Sequence, residues 1–303
     1  MARAAKKCSF TLQIGELCIK RIMVILAAKT KYVFIKKPMI QVMYQCKSKQ
    51  CLSISYQSDC KASLLGRLLL RAFCLHHLPS SFPHTSLCLT RTDRGKPIVE
   101  GTTVDMEGKQ HGSLMGSIHY NVSHAGNWVV LAGGTGRLGV DLMQTKDSRV
   151  DRLDNFFRLM RGQFTAGEWL TIRSSEKTPE EQLAAFFRNW TLKESFVKAV
   201  GTGLNLDLQT LDFKVEAELT QDKVEDRTTL VRDGKETSWR FEESFLDSDH
   251  VVSVCTEEEP SGQPFTVLTV PQLLAMFDNA QEFRRKDPAD FLLYNGKLKM
   301  KPF

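Results

Sequence analysis

The segment 179–200, PEEQLAAFFRNWTLKESFVKAV, predicts a helix that carries charged residues among bulky apolar ones. Glu194 and Lys198 are four positions apart, so they share one face of that helix. Lys193 is expected to lie off this face, because neighbouring helical residues point in different directions. Gly201 follows and is expected to end the helix. Taken alone, Glu194 and Lys198 are typical of an exposed salt bridge, which contributes about 0.2–0.5 kcal/mol.

Length and composition are those of an ordinary globular protein. The chain has 303 residues, of which 42% are hydrophobic and 25% charged, enough for two domains or one larger domain of two halves. The most apolar early segment, IMVILAA (22–28), is too short to span a bilayer and is followed by lysines. The residues before it are too many for a typical signal peptide, and no clear cleavage site follows. We therefore expect a cytosolic protein without a membrane partner.

The cysteines and the charge distribution exclude several other classes. The eight cysteines form no CxxC pair and show no metal-ligand spacing, which favours free thiols in a reducing compartment. Residues 1–60 are strongly basic, whereas the rest of the chain is slightly acidic. A basic arm could bind nucleic acid or an anionic membrane. However, it has no nucleic-acid-binding motif and its lysines alternate with aliphatic residues, so we expect neither partner.

The pattern of helices and strands predicts an α+β fold. Helix followed by strands occurs in both halves, which indicates two similar lobes, each a small antiparallel sheet packed with a helix. The predicted division is an atypical basic segment over 1–57, an N-terminal lobe over 58–138, a C-terminal lobe over 139–257 and a tail over 258–303.

Several individual elements can be predicted. The predicted helices lie at 61–78, 152–164 and 165–175, besides that at 179–200, and the predicted strands at 32–35, 39–44, 117–124, 127–134, 137–143, 211–216, 228–233, 238–244 and 250–257. Thr165 and Glu168 form a plausible capping box. The strand 127–134 is expected to pair with 137–143 across the glycine-rich turn between them.

Three charged residues could form a phosphate-handling site. Asp141 ends a predicted strand just after Gly139 and Val140, and a carboxylate at such a position suits a hard cation. Glu194 offers a second carboxylate, and Lys198 lies one helical turn farther along. Together they could form a site for Mg²⁺ and a polyphosphate, in which lysine neutralises developing charge. The spacing alone does not show that these residues meet.

Four motifs in order resemble those of the surfactin-type 4′-phosphopantetheinyl transferase family. GVDLM (139–143) followed by WTLKESFVKA (190–199) resembles the paired signature of this family. RTDRGKP (91–97) and NVSHAGNWVVLA (121–132) resemble its two coenzyme-binding segments. The likeness extends over roughly 59–257 and is strongest to the animal members, the aminoadipate-semialdehyde dehydrogenase type.

The resemblance implies an activity, a fold and partners. The activity is transfer of 4′-phosphopantetheine from coenzyme A to a serine of an acyl carrier protein domain, as in a holo-acyl-carrier-protein synthase. It would depend on Mg²⁺ and release adenosine 3′,5′-bisphosphate. The fold would be pseudo-dimeric and the protein a monomer. The implied carriers include those of fatty-acid synthase and aminoadipate-semialdehyde dehydrogenase, which would connect the protein to fatty acid synthesis and lysine metabolism.

The resemblance also implies roles for individual residues. Asp141 and Glu194 would bind Mg²⁺, and Glu194 could take the proton from the carrier serine. Lys198 would contact the pyrophosphate and stabilise the transition state. The implied coenzyme-binding residues are Arg91, Thr92, Asp93, Arg94, Gly95, Lys96, Asn121, Val122, Ser123, His124, Glu194 and Lys198. Of these, Arg91, Arg94, Lys96 and His124 would bind the nucleotide end with its 3′-phosphate.

Plainer interpretations stay open for some of these residues. The segment 91–96 could be a solvated turn, and His124 could cap a strand end. Ser123 and His124 do not form a hydrolase dyad, because adjacent strand residues point to opposite faces and the chain has no G-x-S-x-G motif. Arg158 and Arg161 could contact an acidic carrier helix or be ordinary solvated charges.

The sequence departs from the family at two places. Met143 stands where many members have a third acid, and water would complete the metal shell because a thioether is a poor Mg²⁺ ligand. In the segment 1–57, an arginine expected to bind the coenzyme aligns near Gln50, with Lys47 and Lys49 beside it. The alternative function is therefore a catalytically impaired homologue that still binds coenzyme A or a carrier.

The aromatic residues of the region 151–200 are expected to be core residues rather than carrier contacts. They are Phe156, Phe157, Phe164, Phe186 and Phe187.

Overall fold

The structure is a computed structural model. It describes residues 22–27, 57–77, 88–91, 97–100, 103–104, 110–111, 119–134, 136–146, 152–203, 206–221 and 223–277, with side chains from 61–74 and from 119 onward within those ranges. The strands predicted at 32–35 and 39–44, and the basic residues near Gln50, lie outside these ranges.

The described elements confirm an α+β fold. The strands are β1 (Ile22–Ala27), β2 (Cys88–Arg91), β3 (Pro97–Glu100), β4 (Thr103–Val104), β5 (Gln110–His111), β6 (His119–Ala125), β7 (Trp128–Gly134), β8 (Leu138–Gln144), β9 (Leu211–Lys214), β10 (Thr229–Arg232), β11 (Lys235–Glu236), β12 (Arg240–Asp247), β13 (His250–Thr256) and β14 (Thr266–Thr269). The helices are α1 (Gln57–His77), α2 (Leu153–Leu159), α3 (Ala166–Ile172), α4 (Pro179–Val200) and α5 (Val270–Ala275). No helix among these described ones combines the length and apolarity that a membrane crossing needs.

The first lobe is a four-stranded sheet in the order β14-β1-β7-β6, covered by helix α1. β7 pairs antiparallel with both β1 and β6, whereas β14 joins β1 in parallel. Leu65, Leu68 and Phe73 of α1 pack against the sheet, and Leu273 of α5 completes the same core. The predicted division set β1 and β14 outside both lobes, but they are strands of this sheet.

Strand β7 connects the cores of the two lobes. Val129 and Leu131 face the core under α1, while Trp128, Val130 and Ala132 pack against β8 and β13. Because side chains alternate between the faces of a strand, a strand buried on both faces has a continuous apolar sequence.

The predicted pairing of 127–134 with 137–143 is wrong. β7 instead follows β6 through a short turn in which Gly126 has a positive φ of 52°. Both edges of β7 are already hydrogen-bonded, to β6 and β1, so no edge remains for β8. β8 pairs with β13, and just before it Arg137 donates two hydrogen bonds to Glu257, at 2.9 and 2.5 Å. The glycine-rich segment between β7 and β8 therefore leads from one lobe to the other.

The second lobe is the antiparallel sheet β12-β13-β8 with helix α4 packed on it. Thr178 caps the N-terminus of helix α4 and forms a capping box with Glu181, and Gly201, with φ of 74°, caps its C-terminus. Both the helix 179–200 and its glycine stop are thus confirmed. The capping box of Thr165 and Glu168 at the start of α3 is confirmed as well.

The aromatic residues between α2, α3 and α4 form a core cluster, as expected. Phe157, Phe164, Phe186 and Phe187 are buried, and Phe156 is partly buried against them. These side chains therefore pack against one another inside the lobe.

The described thiols are consistent with the free cysteines expected from the sequence. Cys74 and Cys255 are buried and form no disulfide. Burial raises the pKa of Cys74 to about 12, although the nearby Arg71 acts in the opposite direction. The side chains of the other six cysteines lie outside the described residues.

Lys193 lies off the face of Glu194, as predicted, and forms a buried ion pair. Its Nζ lies 2.9 Å from Oε2 of Glu168, and neither side chain is exposed. The same nitrogen donates to the carbonyl oxygens of Leu208 (2.8 Å) and Leu211 (2.6 Å). Burial raises the pKa of Glu168 and lowers that of Lys193, while each partner's charge opposes this effect. The pair fixes α4 to α3 and to the start of β9.

Replacing Lys193 by methionine should therefore destabilise the fold. Lys193→Met leaves the Glu168 carboxylate buried without its counter-ion, which typically costs about 3–5 kcal/mol. Urea unfolding followed by circular dichroism measures the change. Lys214→Met is a matched control, since Lys214 is half-exposed and pairs with Asp212 at the surface. Equal unfolding free energies for both variants would contradict the assigned role of the buried pair.

Candidate active site

The site depends on an unusually close contact between α4 and β8. A Cβ atom placed on Gly139 would lie 2.2 Å from the carbonyl oxygen of Ser195 and 2.4 Å from the backbone nitrogen of Ala199. Glycine lets the strand approach the helix backbone this closely. Asp141, two residues farther along the same strand face, is thereby brought beside Lys198.

Asp141 is the centre of a buried hydrogen-bond network. Its Oδ1 atom accepts hydrogen bonds from the Lys198 Nζ at 2.5 Å and from the Ser123 hydroxyl at 2.9 Å. Lys198 also donates to Ser123 Oγ at 3.2 Å and to the carbonyl oxygen of Val140 at 3.3 Å. All three ammonium hydrogens of Lys198 thus have a protein acceptor. The network joins three elements, β6, β8 and α4.

Glu194 lies one helical turn before Lys198 and is half-buried. Within the described part of the chain, Lys198 pairs with Asp141 and not with Glu194, so the exposed i,i+4 salt bridge does not form. Burial raises the pKa of Glu194, the negative charge of Asp141 raises it further, and Lys198 lowers it. The negative charges of the two carboxylates therefore interact.

The residues present fit a divalent cation with oxygen ligands. Asp141 is 5% exposed, and its Oδ2 atom has no hydrogen-bond partner among the described residues. A buried carboxylate oxygen without a partner is costly unless a ligand binds it. Met143 packs against the aromatic cluster instead of adding a ligand. No group of three metal-ligating side chains occurs in the described ranges, so phosphate oxygens and water would complete the shell of an ion held by Asp141 and Glu194.

The four residues of the NVSH segment on β6 point in two directions. Asn121 and Ser123 are buried and face β8, where Asn121 Oδ1 accepts a hydrogen bond from the Val140 backbone at 3.0 Å. Val122 packs toward α1, and His124 is exposed. This alternation confirms that Ser123 and His124 do not form a dyad. Sequence reasoning missed the contact of Ser123 with Asp141, although the period of two on β6 was a usable signal.

The other predicted coenzyme-binding segment, RTDRGKP (91–97), is only partly described. Arg91 is the last residue of β2, opposite Pro97 of β3, and its side chain lies outside the described residues. Thr92, Asp93, Arg94, Gly95 and Lys96 also lie outside them. Their roles stay predictions.

Arg158 and Arg161 are exposed near the C-terminal end of α2. Arg158 donates a hydrogen bond to Asn155 at 2.8 Å, one turn earlier in the chain. Exposure fits either a carrier contact or a solvated charge, so the carrier contact stays a prediction.

Asp141, Glu194, Lys198 and Ser123 lie at the junction of the two lobes, and side chains of these types suit a cation and phosphate groups. Comparison with known proteins gives the family. The family model "4′-phosphopantetheinyl transferase superfamily" matches residues 137–255, and "4′-phosphopantetheinyl transferase, N-terminal" matches residues 36–136. The chain therefore belongs to the 4′-phosphopantetheinyl transferase family. Because the second match begins at residue 36, part of the segment 1–57 resembles the family after all.

Individual relatives agree with this assignment. L-aminoadipate-semialdehyde dehydrogenase-phosphopantetheinyl transferase of Xenopus laevis is 37% identical over 205 residues, covering 67% of this chain and 64% of the frog protein. The protein of the same name from Rattus norvegicus is 35% identical over 239 residues, 73% of this chain and 74% of its own. The bacterial 4′-phosphopantetheinyl transferase gsp of Aneurinibacillus migulanus is 26% identical over 234 residues, 76% of this chain and 84% of its own.

A side chain at position 139 should move α4, which carries Glu194, away from β8, which carries Asp141. Gly139→Ala forces the α4 backbone away from β8, and we expect a loss of about 1–3 kcal/mol in unfolding free energy, as for other overpacked sites. Denaturant unfolding measures it. Gly162→Ala is the matched control, because a Cβ there meets no atom within 4 Å. A Gly139→Ala variant as stable as Gly162→Ala would show that the contact is not tight.

The stability of the protein should depend on pH through Glu194. A carboxyl group whose pKa is higher in the folded than in the unfolded protein disfavours folding once the pH exceeds its unfolded pKa. Without divalent cations, Glu194→Gln should therefore be more stable than the wild type at pH 7. The difference should shrink as the pH falls through the raised pKa of folded Glu194, and it should be lost below 4.5, the ordinary pKa of glutamate. Urea unfolding at several pH values tests this, and a wild type more stable than Glu194→Gln at pH 7 would contradict it.

Proposed function

We propose that this protein transfers the 4′-phosphopantetheine group of coenzyme A to a serine of an acyl carrier protein domain. The observation that carries the proposal is the junction of Asp141, Glu194 and Lys198 on β8 and α4, with a buried carboxylate oxygen left for a cation. Membership of the phosphopantetheinyl transferase family supports the same conclusion.

Glu194 is the proposed base of the reaction. The serine oxygen of the carrier attacks the phosphorus that bears the pantetheine arm, and Glu194 takes the serine proton. A new serine O–P bond forms, and the bond to the bridging oxygen of the pyrophosphate breaks. That oxygen leaves with the electron pair as part of adenosine 3′,5′-bisphosphate. A raised pKa suits this role, because it makes the Glu194 carboxylate a stronger base.

Lys198 would stabilise the charge that develops on the pyrophosphate. Its longest hydrogen bond, 3.3 Å to the Val140 carbonyl, is the one most readily exchanged for a phosphate oxygen. Its bond to Asp141 keeps the ammonium group in place. Asp141 and Glu194 would hold Mg²⁺, which supplies neutralisation of the diphosphate charge.

The remaining parts of the proposal concern the coenzyme and the carrier. Arg91, Arg94, Lys96 and His124 would hold the nucleotide end of coenzyme A, as the family resemblance implies. Arg158 and Arg161 would face an acidic carrier. The names of the frog and rat relatives favour an aminoadipate-semialdehyde dehydrogenase as one carrier. Fatty-acid synthase would be another, as the family resemblance implies. We further propose that the protein acts as a monomer in the cytosol.

Incubation with an apo-carrier domain, coenzyme A and Mg²⁺ tests the function directly. Intact-mass spectrometry should show the carrier heavier by one phosphopantetheinyl group. Glu194→Gln should abolish the mass gain, because the base and a cation ligand are removed together. Glu180→Gln, an exposed change in the first turn of the same helix, should leave the transfer intact.

Two results would overturn the proposal or its assignment of residues. A folded protein that modifies no carrier but binds coenzyme A in calorimetry would be the impaired homologue instead. Full activity of Glu194→Gln would show that the base and metal assignments are wrong.

A further inference from the structure

Ser123 is held by Asp141 and Lys198 rather than left open toward a pocket. It is 8% exposed, and its hydroxyl donates to Asp141 Oδ1 while accepting from Lys198 Nζ. The family resemblance places Ser123 in the coenzyme pocket. The contacts in the structure connect it to the carboxylate instead.

The two oxygen atoms of Asp141 have different surroundings. Oδ1 accepts two hydrogen bonds, from Ser123 and Lys198, whereas Oδ2 has no partner within the described residues. Two donors from separate elements fix the rotation of the carboxylate about its Cβ–Cγ bond. The direction of Oδ2 is therefore set by contacts at Oδ1.

Strand β8, which carries Asp141, is also held by a hydrogen bond to β6. Asn121, two residues before Ser123, accepts a hydrogen bond from the backbone of Val140, the residue next to Asp141. Asn121 thus holds the strand and Ser123 holds the side chain, both from β6 of the other lobe. Partners of this kind typically change metal affinity about 10–100-fold when they are removed.

We propose that Ser123 is a positioning residue for the metal carboxylate. It binds Oδ1 of Asp141 across the lobe boundary, so that Oδ2 is the atom that binds the divalent cation. This inference rests on the proposed function, because it requires a cation at Asp141. It differs from a role in binding coenzyme A, and the two roles affect different measured affinities.

Mn²⁺ titration followed by electron paramagnetic resonance tests the role without any turnover. The full chain is titrated without and with coenzyme A, for the wild type, Ser123→Ala and Ser123→Thr. We expect Ser123→Ala to weaken Mn²⁺ binding about tenfold or more, and Ser123→Thr to restore it because the hydroxyl is kept. Coenzyme A affinity, measured by calorimetry in EDTA, should stay within twofold of the wild type.

A second buried serine provides the matched control. Ser244→Ala on β12 removes a hydroxyl that donates to the carbonyl oxygen of Phe245, far along the chain from Asp141, and should not change Mn²⁺ affinity. Unchanged Mn²⁺ binding by a folded Ser123→Ala, with weaker coenzyme A binding, would overturn this inference and leave the proposed function standing. A wild type that binds no Mn²⁺ under either condition would overturn the metal site itself.

Discussion

The contact between the α4 backbone and β8 at Gly139 determines whether this site exists. One residue without a side chain lets a helix and a strand approach so closely that a Cβ atom would overlap the helix backbone. Asp141 and Lys198 then meet at 2.5 Å, although 57 residues separate them in the chain. A helix displaced outward by one methyl group would leave Asp141 with only its bond to Ser123. The close packing of the two backbones therefore determines whether these charged groups can meet.

Much of this architecture could be predicted because the responsible signals are local. Helix α4 could be predicted from its own segment and from the glycine that follows it, and the structure has the same bounds. The α+β class follows from the order of helices and strands. Glu194 and Lys198 could be picked out because their spacing puts them on one helix face. Asp141 was expected at the end of a strand, but it lies in the middle of β8.

The remaining features are set by partners far apart in the chain. The glycine-rich turn favoured a hairpin of β7 with β8, but competition from β1 and β6 for the edges of β7 decided the pairing. The burial of Lys193 likewise depends on Glu168, and no local pattern identifies that partner. For Ser123, the family resemblance suggested a coenzyme contact, whereas its hydrogen bonds in the structure go to Asp141 and Lys198. The alternation along β6 indicates that Ser123 shares a face with Asn121, but it does not identify the residues of β8 and α4 that Ser123 meets.

The parallel pairing of β1 with β14 has a consequence for folding during synthesis. The sheet of the first lobe contains residues 22–27 and 266–269, so the residues of the second lobe lie between these two strands in the chain. The second lobe spans a continuous stretch and can close while the ribosome is still adding residues. The first lobe must wait for its last strand and for α5. The lobe that comes first in the chain is thus the later one to be completed, which reverses the usual order for domains emerging from the ribosome.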